Sequence, residues 1–316
     1  MKSKVVTLFG GSGFIGRYAV RQLARQGHVV RVAVRSPERA KFLKPLGDVG
    51  QITPLAASVL VEGSVARAVE GADWVVNLVG ILFESGHQTF GAVHAEGAGR
   101  VARLSKAAGA GALLQISALG ADPDAPADYA RSKAAGEQAV RESFPEAVIL
   151  RPSLVVGPED DFFNRFAAMA RLSPVLPLIE GGKTRFQPAY VDDVATAIVA
   201  ALNDPGCRGR TFELGGPRTY SLKELLQMLL REIRRSRLLV PLPRPLAWLQ
   251  ASLLELLPKP PLTRDQLRLL ERDNVVHEGA EGFGALGIEP QAIEAILPTY
   301  LDRYRPGGRF SQISAA

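Results

Sequence analysis

A serine, a tyrosine and a lysine stand at spacings that suit proton transfer to or from a carbonyl or an alcohol. Tyr129 and Lys133 match the pattern Y-x-x-x-K, and Ser117 precedes the tyrosine by twelve residues. Residues four apart share one face of a helix, so the lysine can lower the phenol pKa by its charge and can bond a ribose. The phenol can then act as an acid or a base, and the serine hydroxyl can hold the substrate oxygen. We therefore predict Ser117, Tyr129 and Lys133 as catalytic residues.

A glycine-rich turn with the spacing G-x-x-G-x-x-G stands between an apolar run at 4–9 and a helical pattern at 14–26. Glycine lets the main chain approach a phosphate closely, and the N-terminus of a helix offers unpaired N–H groups with a partial positive charge. The turn is therefore predicted to bind the pyrophosphate of a dinucleotide. The predicted contacts are Gly10, Gly13, Phe14, Ile15 and Gly16.

The residue that follows the second predicted strand, at 29–34, indicates which dinucleotide is bound. An acidic residue there would hold the ribose hydroxyls of NADH, whereas an arginine accommodates the additional 2′-phosphate of NADPH. The chain has Arg35 followed by Ser36 at this point and no acid. We therefore predict NADPH as the cofactor, bound in part by Arg35, and regard NADH as less favoured.

The elements that must position these residues alternate between short apolar runs and helical segments. The predicted strands lie at 4–9, 29–34, 72–79, 113–117 and 147–151, and the predicted helices at 14–26, 94–108 and 129–144. This alternation is typical of parallel strands joined by crossover helices. After about Pro152 prolines become frequent and helices dominate. The predicted fold is α/β, a Rossmann-type doubly wound parallel sheet with a smaller, mostly helical C-terminal domain.

The length of 316 residues allows a large domain and a smaller one. We predict an NAD(P)-binding Rossmann domain over 1–155, with later returns near 185–215. A smaller domain that contacts a substrate or a partner is predicted over 156–306, followed by a disordered tail at 307–316.

Composition narrows the classes of function. The net charge is +6, yet no basic patch interleaved with aromatic residues is present, so nucleic-acid binding is not predicted. The single Cys207 and the histidines lack metal-ligand spacing, so no metal site is predicted. No stretch approaches the ~20 apolar residues of a membrane span, and the run at 5–9 is too short for a signal sequence. We expect the protein to lie in the cytoplasm, either free or bound peripherally to the inner face of the membrane.

The first half of the chain resembles the extended and atypical short-chain dehydrogenase/reductase superfamily. The matching pieces are the glycine turn, the segment 72–80, Ser117, Tyr129 with Lys133, and Arg151-Pro152-Ser153. The resemblance implies that Leu78, Val79 and Gly80 line the cofactor and that Pro152 flanks the nicotinamide. It also implies that Ser58 and Val59 contact the adenine, although the aspartate common in this region is absent.

A closer resemblance is to the dinucleotide-binding accessory subunits of respiratory complex I. It extends from about Val5 to Tyr304 and rests on the segments 77–80, 133–137, 144–147, 187–194 and 262–265. It implies that the nucleotide is structural and that complex I subunits are the partners. The alternative is a free NADP-dependent reductase, dehydrogenase or epimerase of a small carbonyl or alcohol that uses Ser117, Tyr129 and Lys133.

Two other features bear on this choice. His94 stands where active extended enzymes often carry the asparagine of a proton relay, and we expect this histidine to be a surface residue or a satisfied buried one. Asp192 and Asp193 are predicted to cap a helix at 194–202 rather than to form a catalytic pair.

The C-terminal half combines a basic cluster with an apolar segment. The cluster at 231–237 contains four arginines, and the segment Leu246–Leu257 contains one tryptophan and few polar residues. Such a segment can lie on a membrane surface, dock on another subunit or cover its own domain. The sequence leaves these alternatives open.

Overall fold

The computed structural model describes residues 3–258 and 260–308, so the tail predicted at 307–316 lies outside the described residues from 309 onward. In chain order, the described strands are β1 Val5–Phe9, β2 Val29–Val34, β3 Ile52–Ala56, β4 Trp74–Asn77, β5 Ala112–Ile116, β6 Val148–Pro152, β7 Val155–Val156, β8 Val175–Ile179, β9 Arg185–Phe186, β10 Ala189–Tyr190, β11 Thr211–Leu214, β12 Tyr220–Ser221 and β13 Leu238–Leu242. The described α-helices are α1 Phe14–Arg25, α2 Glu62–Val69, α3 Gly97–Ala107, α4 Asp128–Ser143, α5 Phe162–Leu172, α6 Val191–Asn203, α7 Leu222–Glu232, α8 Arg244–Leu254, α9 Arg264–Leu269, α10 Ile293–Ile296 and α11 Pro298–Leu301.

Seven parallel strands form one sheet in the order β11-β6-β5-β4-β1-β2-β3. From β1 the chain first builds outward through β2 and β3, and then returns to add β4, β5 and β6 on the other side. The order therefore reverses between β1 and β4, and ligands of open α/β sheets bind at the carboxyl ends of the strands at such a point. The predicted fold class is confirmed.

The apolar runs explain the sheet, because nearly every side chain of β1, β2, β4 and β5 is buried between helices on the two faces. The five strands predicted from the sequence are confirmed to within two residues at each end. Strand β3 was not predicted, since Pro54 interrupts its apolar run. Proline is tolerated there because β3 is an edge strand with one partner, β2.

Contacts divide the chain into two compact units. The first, called the sheet unit, comprises Met1–Pro152, Val191–Leu214 and Glu278–Glu289. The second, called the helical unit, comprises Ser153–Tyr190, Gly215–His277 and Pro290–Ala316.

In the sheet unit, α6 packs along α1. The interpretation of Asp192 and Asp193 as caps is wrong in detail, because both lie inside the first turn of α6. The carboxylate of Asp192 accepts hydrogen bonds from Arg21 Nη2 at 2.7 Å and Gln22 Nε2 at 2.9 Å, both on α1. An acidic first turn still suits the helix dipole, and Asp192 adds a link between the two helices.

The helical unit has its own core between α5, α7 and the parallel pair β8–β13. Helix α7 begins with a capping box, in which Ser221 and Glu224 each bond the other's backbone N–H. Its apolar face buries Leu225, Leu226 and Leu229 completely. Among the described residues, no helix is long and apolar enough to cross a membrane.

Candidate functional site

The glycine turn between β1 and α1 has a geometry that requires glycine. Gly10 has a φ of 76°, in the left-handed region, and its amide donates to Ala33 O. A Cβ on Gly10 would lie 3.2 Å from the carbonyl carbon of Leu78, so the turn touches the chain just after β4. A Cβ on Gly16 would lie 2.5 Å from Gly10 O and 2.6 Å from the Cα of Gly11, so α1 packs directly against the turn.

Helix α1 begins without a competing anion. Its N-cap is Gly13, which provides no side-chain hydrogen bond, and its first turn holds no acidic residue. Gly13 is also exposed. The first backbone N–H groups of the helix and its positive dipole end are therefore available to a bound phosphate.

The segment Leu78–Gly80 follows β4 and lies beside the turn. Leu78 N donates to Phe9 O at 3.0 Å, and Val79 N donates to the side-chain oxygen of Asn77 at 3.2 Å. Asn77 is held in turn by Gln115, whose Oε1 accepts from Asn77 Nδ2 at 2.8 Å. Both amides are buried, so this pair across β4 and β5 fixes the segment that faces the turn.

Arg35 follows the carboxyl end of β2, the strand next to β1. It is exposed, and its Nη1 donates to Gln88 Oε1 at 2.7 Å. Since Ala33 pairs with Phe9 and accepts from Gly10, Arg35 stands at the same edge of the sheet as the turn. A guanidinium group there can reach a phosphate by exchanging its neutral partner Gln88 for an anion.

Ser58 and Val59 follow the edge strand β3, and their contacts within the sheet unit are structural. Ser58 Oγ accepts from Leu60 N at 3.3 Å, and Val59 is buried under α3. The carbonyl oxygen of Val59 accepts from Arg100, and a Cβ on Gly97 would lie 3.0 Å from the Val59 side chain.

Tyr129 and Lys133 lie in the first two turns of α4, as the spacing predicted. The Lys133 ammonium group lies 5.7 Å from the centre of the Tyr129 ring. A Cβ on Gly80 would lie 3.2 Å from the Lys133 ammonium nitrogen. Burial lowers the pKa of Lys133 to about 8, against the opposing charge of Glu137, and burial raises the pKa of Tyr129 to about 12. Burial therefore outweighs the expected lowering of the phenol pKa by Lys133, and the phenol is a proton donor rather than a phenolate at neutral pH.

An ion-pair network secures the same helix to the sheet. Arg151 on β6 binds Glu137 with two hydrogen bonds of 2.8 and 2.7 Å, and its Nη1 lies 3.4 Å from Glu213 on β11. Both carboxylates are buried. The bidentate geometry fixes the rotation of α4, and hence the direction of Lys133 one turn earlier.

His94 is buried, and its hydrogen bonds define its tautomer. Its Nε2 accepts from the backbone N–H of Ile81 at 3.0 Å, so this nitrogen carries no proton. Its Nδ1 then donates to Ser132 Oγ at 2.9 Å, and Ser132 donates to the carbonyl oxygen of Tyr129 at 2.7 Å. The expectation of a satisfied histidine is confirmed, and the ring ties the segment after β4 to α4.

The backbone around His94 is unusual. We predicted one helix over 94–108, but the structure has a π-helix at Gly91–Glu96 that continues into α3. His94 stacks on Phe90 at 5.5 Å, and both rings contact Tyr129 edge-on. On the facing helix, a Cβ on Gly136 would overlap the carbonyl oxygen of His94. Glycine is therefore required where α4 crosses the π-helix.

The titration of His94 gives a testable pH dependence. Burial, with a smaller contribution from Lys133, lowers the pKa of His94 from 6.5 to about 3. The unfolded chain therefore takes up this proton first as the pH falls, and the free energy of unfolding decreases below about pH 6.5. We expect a loss of about 2 kcal/mol between pH 7 and pH 5 from this group.

Urea unfolding of the wild type and of His94→Gln at both pH values measures this contribution. The pKa of His28 is also lowered by burial, so the difference between the two proteins, and not the wild-type slope alone, isolates His94. Equal slopes for the two proteins would contradict the assignment of a neutral, buried His94.

Ser117 follows the carboxyl end of β5, next to β4 in the sheet. Its amide donates to Leu150 O at 2.8 Å, whereas its hydroxyl is buried and has no hydrogen-bond partner among the described residues. The following segment is held by Leu119 N, which donates to Pro152 O at the end of β6 at 3.0 Å. A buried hydroxyl without a partner is costly, so this group suits a polar ligand atom at the edge of the sheet.

The structure thus brings most of the predicted residues to one edge of the sheet unit. Gly10 contacts Leu78, and Lys133 and His94 contact Gly80. Ser58 and Val59 stand apart, two strands from the turn. Sequence reasoning missed Gln115, Ser132, Phe90 and Gly136, which position the others. Among the described residues, no group of three His, Cys, Asp or Glu side chains is arranged to hold a metal ion.

These features fit a bound dinucleotide. Glycine at positions 10 and 16 lets the turn pack against Leu78 and against α1, the start of α1 is uncapped, and the buried Ser117 hydroxyl has no hydrogen-bond partner among the described residues. The first two suit a pyrophosphate, and the third suits a polar group further along the same edge.

Comparison with known proteins agrees with this geometry. The family described as NAD dependent epimerase/dehydratase matches residues 6–215. The chain is 37% identical over 316 residues to "NADH dehydrogenase [ubiquinone] 1 alpha subcomplex subunit 9, mitochondrial" of Arabidopsis thaliana, covering 96% of this chain and 79% of that protein. It is 35% identical over 207 residues to a ceramide reductase of Caulobacter vibrioides, covering 64% and 62%.

Among solved structures, a dTDP-glucose 4,6-dehydratase of Streptomyces venezuelae superposes with a TM-score of 0.72 at 20% identity, covering 95% of this chain and 96% of that one. At this identity the likeness concerns the fold alone. The family match spans the glycine turn, Tyr129 and Lys133, and it confirms the resemblance to short-chain dehydrogenases/reductases inferred from those motifs. The chain belongs to the NAD dependent epimerase/dehydratase family.

Proposed function

We propose that this protein is an accessory or assembly subunit of a complex I-type NADH:ubiquinone oxidoreductase and that it holds NADPH as a structural cofactor. The observation that carries the proposal is the 37% identity to a complex I subunit along 96% of the chain, which includes the helical unit. A resemblance confined to the dinucleotide fold would end near residue 215, where the family match ends.

The site supports a nucleotide that is held rather than consumed. The turn formed by Gly10, Gly13 and Gly16 would let the pyrophosphate approach, and the amides of Phe14 and Ile15 at the start of α1 would bind it, since the Gly13 amide already donates to Gly10 O at 2.9 Å. Leu78, Val79 and Gly80 would line the cofactor. Lys133 and Tyr129 would bind the nicotinamide ribose, Pro152 would flank the ring, and Ser58 and Val59 would lie toward the adenine. Both ring nitrogens of His94 are used in hydrogen bonds to Ile81 and Ser132, so this residue does not pass a proton to or from the Tyr129 phenol.

Association with complex I is tested in the source organism. Deletion of the gene should lower the amount of assembled complex I on a native gel, and the tagged chain should migrate with the complex. The Tyr129→Phe variant should restore assembly to the wild-type level, because a structural nucleotide needs no proton transfer from the phenol and Lys133 and the glycine turn would still hold it. Normal assembly in the deletion strain would overturn the proposal.

The preference for NADPH is tested at Arg35. Replacing Arg35 by serine should weaken NADPH binding by roughly 10- to 100-fold, the range expected for a lost hydrogen bond to a charged group, and should leave NADH binding nearly unchanged. Arg39→Ser is the matched control, since Arg39 is exposed nearby but stands less well placed after β2. Isothermal titration with each nucleotide gives the comparison, and an equal loss for NADPH and NADH would contradict the role of Arg35.

A second function, a free NADP-dependent reductase, dehydrogenase or epimerase, is favoured by one observation. The Ser117 hydroxyl is buried without a partner among the described residues, and a substrate oxygen would satisfy it. The dinucleotide would supply hydride chemistry, and Tyr129 would give a proton to the substrate oxygen with Lys133 beside it. The relative named a ceramide reductase shares 35% identity over part of the chain. Turnover of a carbonyl substrate that Tyr129→Phe abolishes would establish this function instead.

A further inference from the structure

Helix α8 of the helical unit buries its two alanines and exposes three of its leucines, while Trp248 packs partly buried against the alanine side. Ala247 and Ala251 are completely buried and pack with Leu267 and Ile179. Leu246, Leu249 and Leu253, in contrast, are 54%, 60% and 61% exposed. An ordinary surface helix has the opposite arrangement, with its leucines toward the core.

The exposed leucines form one continuous row. Successive residues of a helix are rotated by about 100°, so positions 246, 249 and 253 fall in one narrow stripe opposite Ala247 and Ala251. Beyond the end of the helix the row continues into Leu256 and Leu257, which are 82% and 50% exposed. Single exposed leucines are common, but three on one stripe of a helix, followed closely in the chain by two more, mark a surface that something covers. This set is called the leucine row.

A basic cavity of about 450 Å³ lies in the same unit, between the turn before β9 and the start of α7. Its cations are Lys183, Arg185 and Lys223. Its acid, Glu224, is used by the capping box of α7, and Arg185 is paired with Asp273 at 2.8 Å. Within the described part of the chain, neither lysine has a hydrogen-bond or ion-pair partner. Glu224 keeps its negative charge in the capping box, so the two lysines leave the lining of the cavity with one excess positive charge for an anion.

The cavity and the leucine row occupy neighbouring elements. Glu180, directly before the cavity loop, lies 3.9 Å from Arg244 at the start of α8, and Ile179 packs against the buried alanines of that helix. On the other side of the loop, a Cβ on Gly182 would lie 3.0 Å from Lys223 N. One short segment, 179–183, thus joins the apolar helix to the basic cavity.

We propose that the helical unit rests on an anionic lipid surface, with the leucine row in contact with the acyl boundary and a lipid phosphate in the basic cavity. The leucine row contains no hydrogen-bonding side chain that would fix the register of a protein partner, and α8 carries a single charge, on Arg244. An apolar helix face beside cations is the combination that binds anionic membranes. The proposal does not depend on nucleotide binding or on complex I.

The experiment is co-sedimentation of the purified full chain with vesicles. Vesicles of phosphatidylcholine and phosphatidylglycerol in about a 2:1 ratio should bind the protein. Vesicles of phosphatidylcholine alone should bind it at least about tenfold more weakly. The double variant Leu249→Ser/Leu253→Ser should bind the mixed vesicles about tenfold or more weakly, because it removes two of the five leucines of the row.

Two controls separate the proposal from general effects. Leu172→Ser removes a leucine of the same unit that is even more exposed, at 90%, and this variant should bind as the wild type does. The double variant Lys183→Gln/Lys223→Gln should weaken binding to the mixed vesicles more than Lys41→Gln/Lys44→Gln, which removes two exposed lysines of the sheet unit. If both double lysine variants lose the same amount of vesicle binding, the cavity lysines act only through nonspecific charge. That result would overturn the part of the proposal that places a lipid phosphate in the cavity.

Three outcomes would overturn the lipid surface itself. They are the absence of binding to either vesicle by a folded protein, equal binding of the wild type and the double serine variant, and a dimer in analytical ultracentrifugation that the serine substitutions dissociate. The last result would show that a second copy of the chain covers the leucine row. If the wild type does not bind vesicles and the double serine variant no longer associates with complex I, a protein partner covers the leucine row instead.

Discussion

Replacing Gly16 by alanine is expected to lower dinucleotide affinity by roughly 100-fold or more. The new methyl group would lie 2.5 Å from Gly10 O and 2.6 Å from the Cα of Gly11, and both are backbone atoms that cannot rotate away. Helix α1 must then move from the turn, which takes its N–H groups out of reach of the pyrophosphate. Two lost charge-assisted hydrogen bonds at about 1.5 kcal/mol each already give this factor.

The same substitution also strains the fold, so its stability must be measured with its affinity. A second variant, Gly13→Ala, places a methyl group 3.2 Å from Gly10 O at an exposed N-cap with a φ of −74°, which alanine adopts freely. This variant should stay folded and still bind NADPH more weakly. Gly63→Ala is the control, because its Cβ in α2 would meet only a flexible arginine end at 3.8 Å. A folded Gly16→Ala protein with wild-type affinity would contradict the phosphate-binding role of the turn.

Gly136→Ala is expected to lower the free energy of unfolding by roughly 3 kcal/mol. Its methyl group would overlap the carbonyl oxygen of His94, so α4 and the π-helix must separate. Separation also breaks the chain of hydrogen bonds from Ile81 through His94 and Ser132. Alanine's higher helix propensity offsets only about 1 kcal/mol of this cost.

Gly99→Ala is the matched control for this prediction. It lies on α3 against the same helix α4, and its Cβ would lie 3.1 Å from the Ala139 side chain, a contact that a small shift relieves. We expect its unfolding free energy to stay within about 1 kcal/mol of the wild type. Urea unfolding of both variants decides the matter, and equal stabilities of Gly136→Ala and the wild type would show that the crossing is looser than described.

The parts of the fold that could be predicted from the sequence are those whose structure is specified by residues close together in the chain. The glycine turn, the strands around it and the Tyr129–Lys133 helix are specified by apolar periodicity and by residue types at fixed spacing. Helix α4 was predicted at 129–144 and is found at Asp128–Ser143. The edge strand β3 was not predicted, because Pro54 interrupts the short apolar run that would have indicated a strand.

The remaining features depend on contacts between distant segments. The π-helix at Gly91–Glu96 has no period of its own within a run of helix-forming residues, so a regular helix was predicted. The pairing of Asn77 with Gln115 arises from strand order, and the need for Gly136 arises from a helix crossing. The hydrogen bond from Arg35 to Gln88 joins residues 53 positions apart, so the sequence could suggest Arg35 but could not give its partner.

The most direct test of the central claim is native mass spectrometry of the purified, folded chain, followed by titration of the nucleotide-free protein with NADPH and NADH. A dinucleotide held by the turn at residues 10–16 predicts a 1:1 complex whose added mass is that of NADPH, and tighter binding of NADPH than of NADH. A folded protein that carries no nucleotide and gives no binding heat with either one would contradict the claim.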